Sequence, residues 1–213
     1  MKANELVSMV HKNAVRHGWW GDMKDGKEEE RSYGELLALI HSEWSEALEE
    51  YRAGRPMEWY KCKHADGETP CSVLKCCLGN NPATCEYLDG KPEGIAVELI
   101  DGVIRILDMF GHYQTSYPDD MEDDGLASFI SDKQKEELRK QTLPEFINYL
   151  HTLTARTGNS QTELNIHPAE LLVNCVSLVF CWITEMTLLD PMKLLIEEHK
   201  YNESRPYKHG KVC

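Results

Sequence analysis

A surplus of basic charge is missing from this sequence: Asp and Glu number 36 against 23 Lys and Arg, and the formal net charge is −13. A surface this acidic repels phosphate backbones, which argues against a groove for polymeric nucleic acid. It leaves room for a small nucleotide, because a metal ion bridges carboxylates to phosphates. A long uninterrupted apolar run is missing too. The most apolar stretch, residues 171–189, is broken by Asn174 and Glu185 and reads as a buried helix, with no membrane expected as a partner. The opening segment, MKANELVSMVHKNAVRHG, is amphipathic and lacks the apolar centre of a signal peptide. The expectation is a cytoplasmic protein whose eight cysteines stay reduced. Convincing strands are also wanting. With 41% hydrophobic and 28% charged residues over 213 positions, the chain has the means to bury a core, as one domain with or without an insertion.

Helical periodicity is what the sequence does have. Leu6, Val7, Val10 and Val15 repeat at helical spacing from Ala3 to Arg16, and Gly18 ends that run before Trp19 and Trp20. Ser32 is an N-cap candidate with Glu35 as its capping-box partner, opening a helix that runs to about Ala53 and stops at Gly54 and Pro56. Pro92 and Glu93 are expected to open a second strong helix that reaches His112. Three further helical stretches follow, Leu143 to Ala155, Pro168 to Leu189 and Pro191 to Asn202, after an acidic linker at residues 117–125. The fold class expected is all-α, a helical bundle. Residues 57–92 differ in character and read as a cysteine-rich loop insertion.

Two of the helices carry paired carboxylates, Glu43-x-x-Glu46 and Glu98-x-x-Asp101. At about 100° per residue, Glu46 and Glu50 fall within about 60° of Glu43, bordering the apolar arc of Leu36, Ile40, Trp44 and Ala47. Glutamates that serve only solubility sit opposite the core, where Glu49 points. The second helix is apolar over most of its circumference, and Glu98, Asp101, Arg105 and Asp108 form its one charged stripe. Buried unpaired carboxylates are costly, and a cation offsets that cost. Residues three apart share a helix face, so two such helices packed together bring Glu43, Glu46, Glu98 and Asp101 to one point. An all-oxygen set favours magnesium, with manganese as a substitute. The plainer alternative is a salt-bridged helix pair with Arg105 as partner. A di-iron bundle is disfavoured, since neither helix supplies the Glu-x-x-His pair it needs.

The segments LALIHSEWSEALEEYRAGRP (residues 37–56), KPEGIAVELIDGVIRILDMFGHY (residues 91–113) and HKYNESRPYKHGK (residues 199–211) together resemble the MazG-like, all-α nucleoside triphosphate pyrophosphohydrolases of phage and bacterial type. Glu43, Glu46, Glu98 and Asp101 match that family's E-x-x-E, spacer, E-x-x-D pattern. The resemblance implies magnesium at these four residues. It also implies hydrolysis of a nucleoside triphosphate to the monophosphate and pyrophosphate, in nucleotide-pool housekeeping, and a homo-oligomer. The spacer is longer than the family's usual one because the insertion lies inside it. Residues 143–213 look like a degenerate second helical half with a basic tail, as in fused-dimer arrangements.

Within that chemistry, Glu46 and Glu50 are both candidates to orient and deprotonate the attacking water. Lys200, Asn202 and Arg205 are candidates to meet the phosphates, together with Lys208 and Lys211. Trp19 and Trp20 either stack on the base or pack in the core. His11 and Asn13 are minor polar candidates, and His41 reads as structural. Cys62, Cys71, Cys76, Cys77 and Cys85, with His64 nearby, leave open a structural zinc or free thiols, since no C-x-x-C pair is present. Cys175 and Cys181 read as core residues. The alternative to an enzyme is a non-catalytic nucleotide-sensing or interaction module on the same fold, organised by zinc in one variant.

Overall fold

The computed structural model describes residues 2–22, 27–28, 30–62, 70–71, 88–115, 126, 130–163 and 168–207. Among these residues seven helices dominate: α1 (Ala3–Arg16), α2 (Tyr33–Arg52), α3 (Ile95–His112), α4 (Asp132–Lys140), α5 (Leu143–Glu163), α6 (Pro168–Met186) and α7 (Pro191–Ser204). The all-α expectation holds in that sense. Helix α2 opens where the capping pattern put it, with the Ser32 hydroxyl accepting from the Glu35 amide at 3.1 Å.

Helix α3 is the axis of the fold. Thirteen of its 18 residues are buried, and it packs against α1, α2, α6 and α7. A helix apolar on nearly every side has to be surrounded in this way. Its contact with α2 is unusually close at Gly102, where an added Cβ would stand 2.3 Å from the Trp44 ring. Trp44 is fully buried and its Nε1 donates to Thr154 Oγ1 at 3.1 Å, so one indole ties α2 to both α3 and α5. Gly102→Ala is therefore expected to push α2 off α3 and to lower the free energy of unfolding by about 1–3 kcal/mol. Urea denaturation of the variant checks this.

Helix α6 has the length and apolarity to cross a membrane by composition alone, but most of it is buried against α3, α4, α5 and α7. The expectation of a buried core helix is met, and Cys175 and Cys181 are free thiols buried in it.

Several boundaries differ from the sequence reading. Pro92 and Glu93 do not open α3. They end a strand, and α3 starts at Ile95 after Gly94, whose φ of 118° brings the chain against Pro56 and Met57. A Cβ at Gly94 would lie 2.7 Å from the Pro56 carbonyl oxygen, which only glycine avoids. Helix α4 was not expected, because Leu138 is its only buried residue and apolar periodicity is absent; its Ser131-x-x-Gln134 capping box was the available signal. Helix α5 runs on past Ala155, since Thr157 is buried and Gly158 passes close to Leu37.

Short strands are present as well. β1 (Gly21–Asp22) pairs with β2 (Lys27–Glu28). β3 (Trp59–Cys62), β4 (Pro70–Cys71) and β5 (Leu88–Glu93) form an antiparallel sheet in the order β4-β3-β5. The cysteine-rich segment is thus closed at its base, with Trp59 opposite Glu93 and Tyr60 opposite Pro92. Pro92 is tolerated because β5 is an edge strand.

Candidate metal and anion cleft

Glu43 and Glu46 reach the α2–α3 seam from α2, and Glu98 reaches it from α3. One carboxylate oxygen from each lies within 4.8 Å of the other two. Glu43 and Glu98 are buried and Glu46 is exposed, so the group sits at the mouth of the seam. Asp101, one helical turn beyond Glu98, lines the same cleft without joining that tight triad. Three of the four carboxylates expected to converge do so, and the fourth is on the adjoining wall.

The plainer alternative is also partly realised. Arg105 Nε donates to Glu43 Oε1 at 2.9 Å. That pair neutralises one carboxylate and leaves the others crowded. Glu98 is pushed up to about 8, first by burial and then by Glu46, Glu43 and Glu93, with Lys91 opposing. Asp101 is held well above the usual carboxylate range by burial, followed by Glu198, Glu43 and Glu98, against Arg105.

Glu198, outside the triad and the cleft lining, is a further buried carboxylate near Asp101 that sequence reasoning missed. It lies on α7, is almost wholly buried, and accepts from Asn202 Nδ2 at 3.0 Å through Oε1. Its Oε2 is buried without a partner among the described residues. Burial raises it to about 7, opposed by Lys91 and Arg205. The signal was available: Glu198 falls three and four residues after the buried Leu195 and Leu194, on the apolar face of its helix. Lys91, at the end of the insertion, was likewise not singled out. It lines the cleft, and its Nζ contacts Glu93 at 2.9 Å.

The cleft itself has a volume of about 250 Å³ and lies between α1, α2, α3 and α7. Arg205, Asn202 and Lys91 bring donors to it, and His17, Trp19 and Asn13 line it from the α1 side. The Trp pair divides. Trp19 is half-buried at the cleft, with the Arg31 guanidinium 5.9 Å from its ring centre. Trp20 is committed to the core: its Nε1 donates to Asp108 Oδ1 at 2.8 Å and its ring stacks on His112 at 3.8 Å. A base-stacking role for Trp20 is therefore corrected to packing. Asp108 also meets His11 Nδ1 at 2.8 Å.

Two other expectations change. Glu50 does not line the cleft, because its Oε2 accepts from Trp59 Nε1 at 2.7 Å; of the two water-activating candidates Glu46 is the one at the cleft. Lys200 is exposed and away from the lining, whereas Asn202 and Arg205 on the same segment are part of it. His41, read as structural, sits 2.7 Å from His151 Nδ1 across α2 and α5. Cys76, Cys77, Cys85, His64, Lys208 and Lys211 lie outside the described residues, as do the side chains of Cys62 and Cys71.

The carboxylates suit a hard divalent cation. The donors of the triad are all oxygen, and the crowding that raises Glu98 and Asp101 is relieved by positive charge. No protein family matches this chain, and neither a curated protein nor a solved structure shows significant similarity to it.

Proposed function

We propose that the chain is a magnesium-dependent nucleoside triphosphate pyrophosphohydrolase of the MazG-like, all-α type. The observation that carries this reading is the convergence of Glu43, Glu46 and Glu98 from two packed helices at a cleft that also presents Arg205, Lys91 and Trp19. A carboxylate group facing cationic donors across a cleft is the arrangement that takes up a polyphosphate together with its counter-cation.

Glu43, Glu46, Glu98 and Asp101 would hold magnesium, or manganese in its place, which when bound supplies charge neutralisation and polarisation of a phosphoryl oxygen. Arg205 offers a forked donor to phosphate oxygens, and Asn202 stands beside it on the cleft wall. Trp19 offers an aromatic face to the base. Glu46 is exposed and accepts from Ser42 Oγ at 3.1 Å through one oxygen, which leaves the other to orient a water and take its proton. Homo-oligomeric assembly belongs to the same proposal and is read by light scattering.

The test is pyrophosphate release from a panel of ribo-, deoxy- and modified triphosphates with magnesium. At least one should be turned over, and Glu46→Gln should slow that reaction by about 10²–10⁴-fold, the worth of a positioned general base. No release across the panel sinks the catalytic reading. The Arg105–Glu43 pair favours the second reading, a non-catalytic nucleotide-sensing module, because it holds α2 to α3 with no cation needed. Tight triphosphate binding without turnover would select it.

A further inference from the structure

His17, the residue that caps the C-terminus of α1, is buried and lines the cleft. Its Nδ1 lies 2.9 Å from the carbonyl oxygen of Asn13, and its Nε2 lies 3.0 Å from the carbonyl oxygen of Arg205. Both partners are pure acceptors. A neutral imidazole carries one N–H and one lone pair, so it satisfies only one of them and sets a lone pair against the other. The ring that fits both is the imidazolium. The C-terminal end of a helix, where uncapped carbonyls gather, favours that charge.

The second carbonyl belongs to the residue that the proposed function assigns to the phosphates. The Arg205 side chain is steadied by Asn202 Oδ1 at 3.3 Å and by the Tyr201 ring at 5.8 Å. Its backbone is tied to α1 through His17. The next turn of chain follows the same surface: Tyr207 lies against Gly18, where an added Cβ would stand 2.2 Å from the ring, and Arg16 meets Glu203 at 3.2 Å. Among the described residues, the charged and titratable groups around His17 include Arg16 on α1, His199 and Glu203 on α7, and Arg205 itself. His199 is pushed down by burial, with Arg16 and His17 adding to that against Glu203.

We infer that His17 is a positioning residue: as a doubly protonated imidazolium it bridges α1 to the α7 tail and fixes Arg205 over the cleft for a polyphosphate. This rests on the polyphosphate reading of the cleft. His17 acts through Arg205 and makes no claim on the reacting atoms.

Two measurements on the full-length chain decide it. Imidazole ¹⁵N shifts of His17 at neutral pH should show both nitrogens protonated; a single neutral tautomer overturns the proposal. Affinity for inorganic tripolyphosphate with magnesium, read by calorimetry, should then be compared in wild type, His17→Gln, Arg205→Ala and the double variant. His17→Gln should weaken binding about tenfold, the loss of one charge-assisted hydrogen bond. His17→Lys, which restores a charged donor, should recover part of it. In the Arg205→Ala background the His17 substitution should add nothing. Additive losses, or an affinity indifferent to Arg205, overturn the proposal. Binding and coupling without pyrophosphate release would sink the hydrolase reading alone and leave this one standing.

Discussion

Glu98→Gln is expected to make the cation-free protein more stable and to destroy its response to magnesium. The glutamate is buried on α3 and lifted from 4.5 to about 8. At pH 7 the folded protein holds a proton there that the unfolded chain has released, which costs folding on the order of 3 kcal/mol relative to an unperturbed carboxylate. A neutral amide of the same shape escapes that cost, so in chelator at neutral pH the variant should unfold at higher denaturant than wild type. Under the proposed function the same substitution removes a ligand. Saturating magnesium should stabilise wild type by about 2–3 kcal/mol at a hundredfold excess over its dissociation constant, and the variant far less. Pyrophosphate release should fall by at least about a hundredfold, since losing even an outer-shell partner of a metal ligand costs up to that much. Equal destabilisation with and without magnesium would show that Glu98 is only a packed core residue.

Stability in chelator should fall as pH rises from about 4.5 to about 8, the opposite of ordinary acid denaturation. Glu98 is raised to about 8, Glu198 to about 7, and Asp101 well above its usual value, each chiefly by burial. The folded state therefore holds protons that the unfolded chain releases. Stability from these groups is complete below their unfolded values and is lost as pH climbs through the folded ones. Lys91 and Arg105 are shifted up as well: burial alone would lower them, but Glu93 and Glu43 respectively outweigh it. Their contribution persists below their ordinary values, which lie well above this window, and does not change within it. Under the proposed function magnesium would compete with the same protons, so its stabilisation should grow with pH and its binding should release protons, measurable as a buffer-dependent binding enthalpy. A chelator profile that rises steadily from pH 5 to 8 would contradict the burial of these carboxylates.

The sequence carried the helices of the bundle well where an amphipathic stripe or a cap marked them, as at Ser32 and along α3. It did not carry α4, which buries a single leucine, or β5, whose Leu88-Asp-Gly-Lys-Pro-Glu93 run has no alternation and is held by pairing with β3. At the site, the charged stripe of α3 pointed to Glu98 and Asp101, both of which line the cleft, because an apolar helix surrounded on all sides advertises its polar exceptions. The fates of Trp19 and Trp20 were illegible, since adjacent residues at a helix end diverge according to tertiary partners such as Asp108 and His112. Glu50 looked equivalent to Glu46 on a wheel, but one indole donor from Trp59 claims it. Glu198 and His17 depend on contacts between segments far apart in the chain, and only the pairing of α7 with α1 and α3 brings them forward.

The three-stranded sheet at the base of the insertion has a topological consequence. The chain leaves α2, crosses β3, and re-enters through β5, with Ile95 and Ala96 amides bonded back to the carbonyls of Pro56 and Met57. Exit and return are therefore side by side. The interval separating Glu46 from Glu98 along the polypeptide is then decoupled from their separation in space. A signature scanned as two acidic pairs with a bounded spacer measures the contour of that detour, while the cleft responds only to its footing. The Trp59–Glu93 rung and Lys91 make up that footing, whatever the length of the excursion.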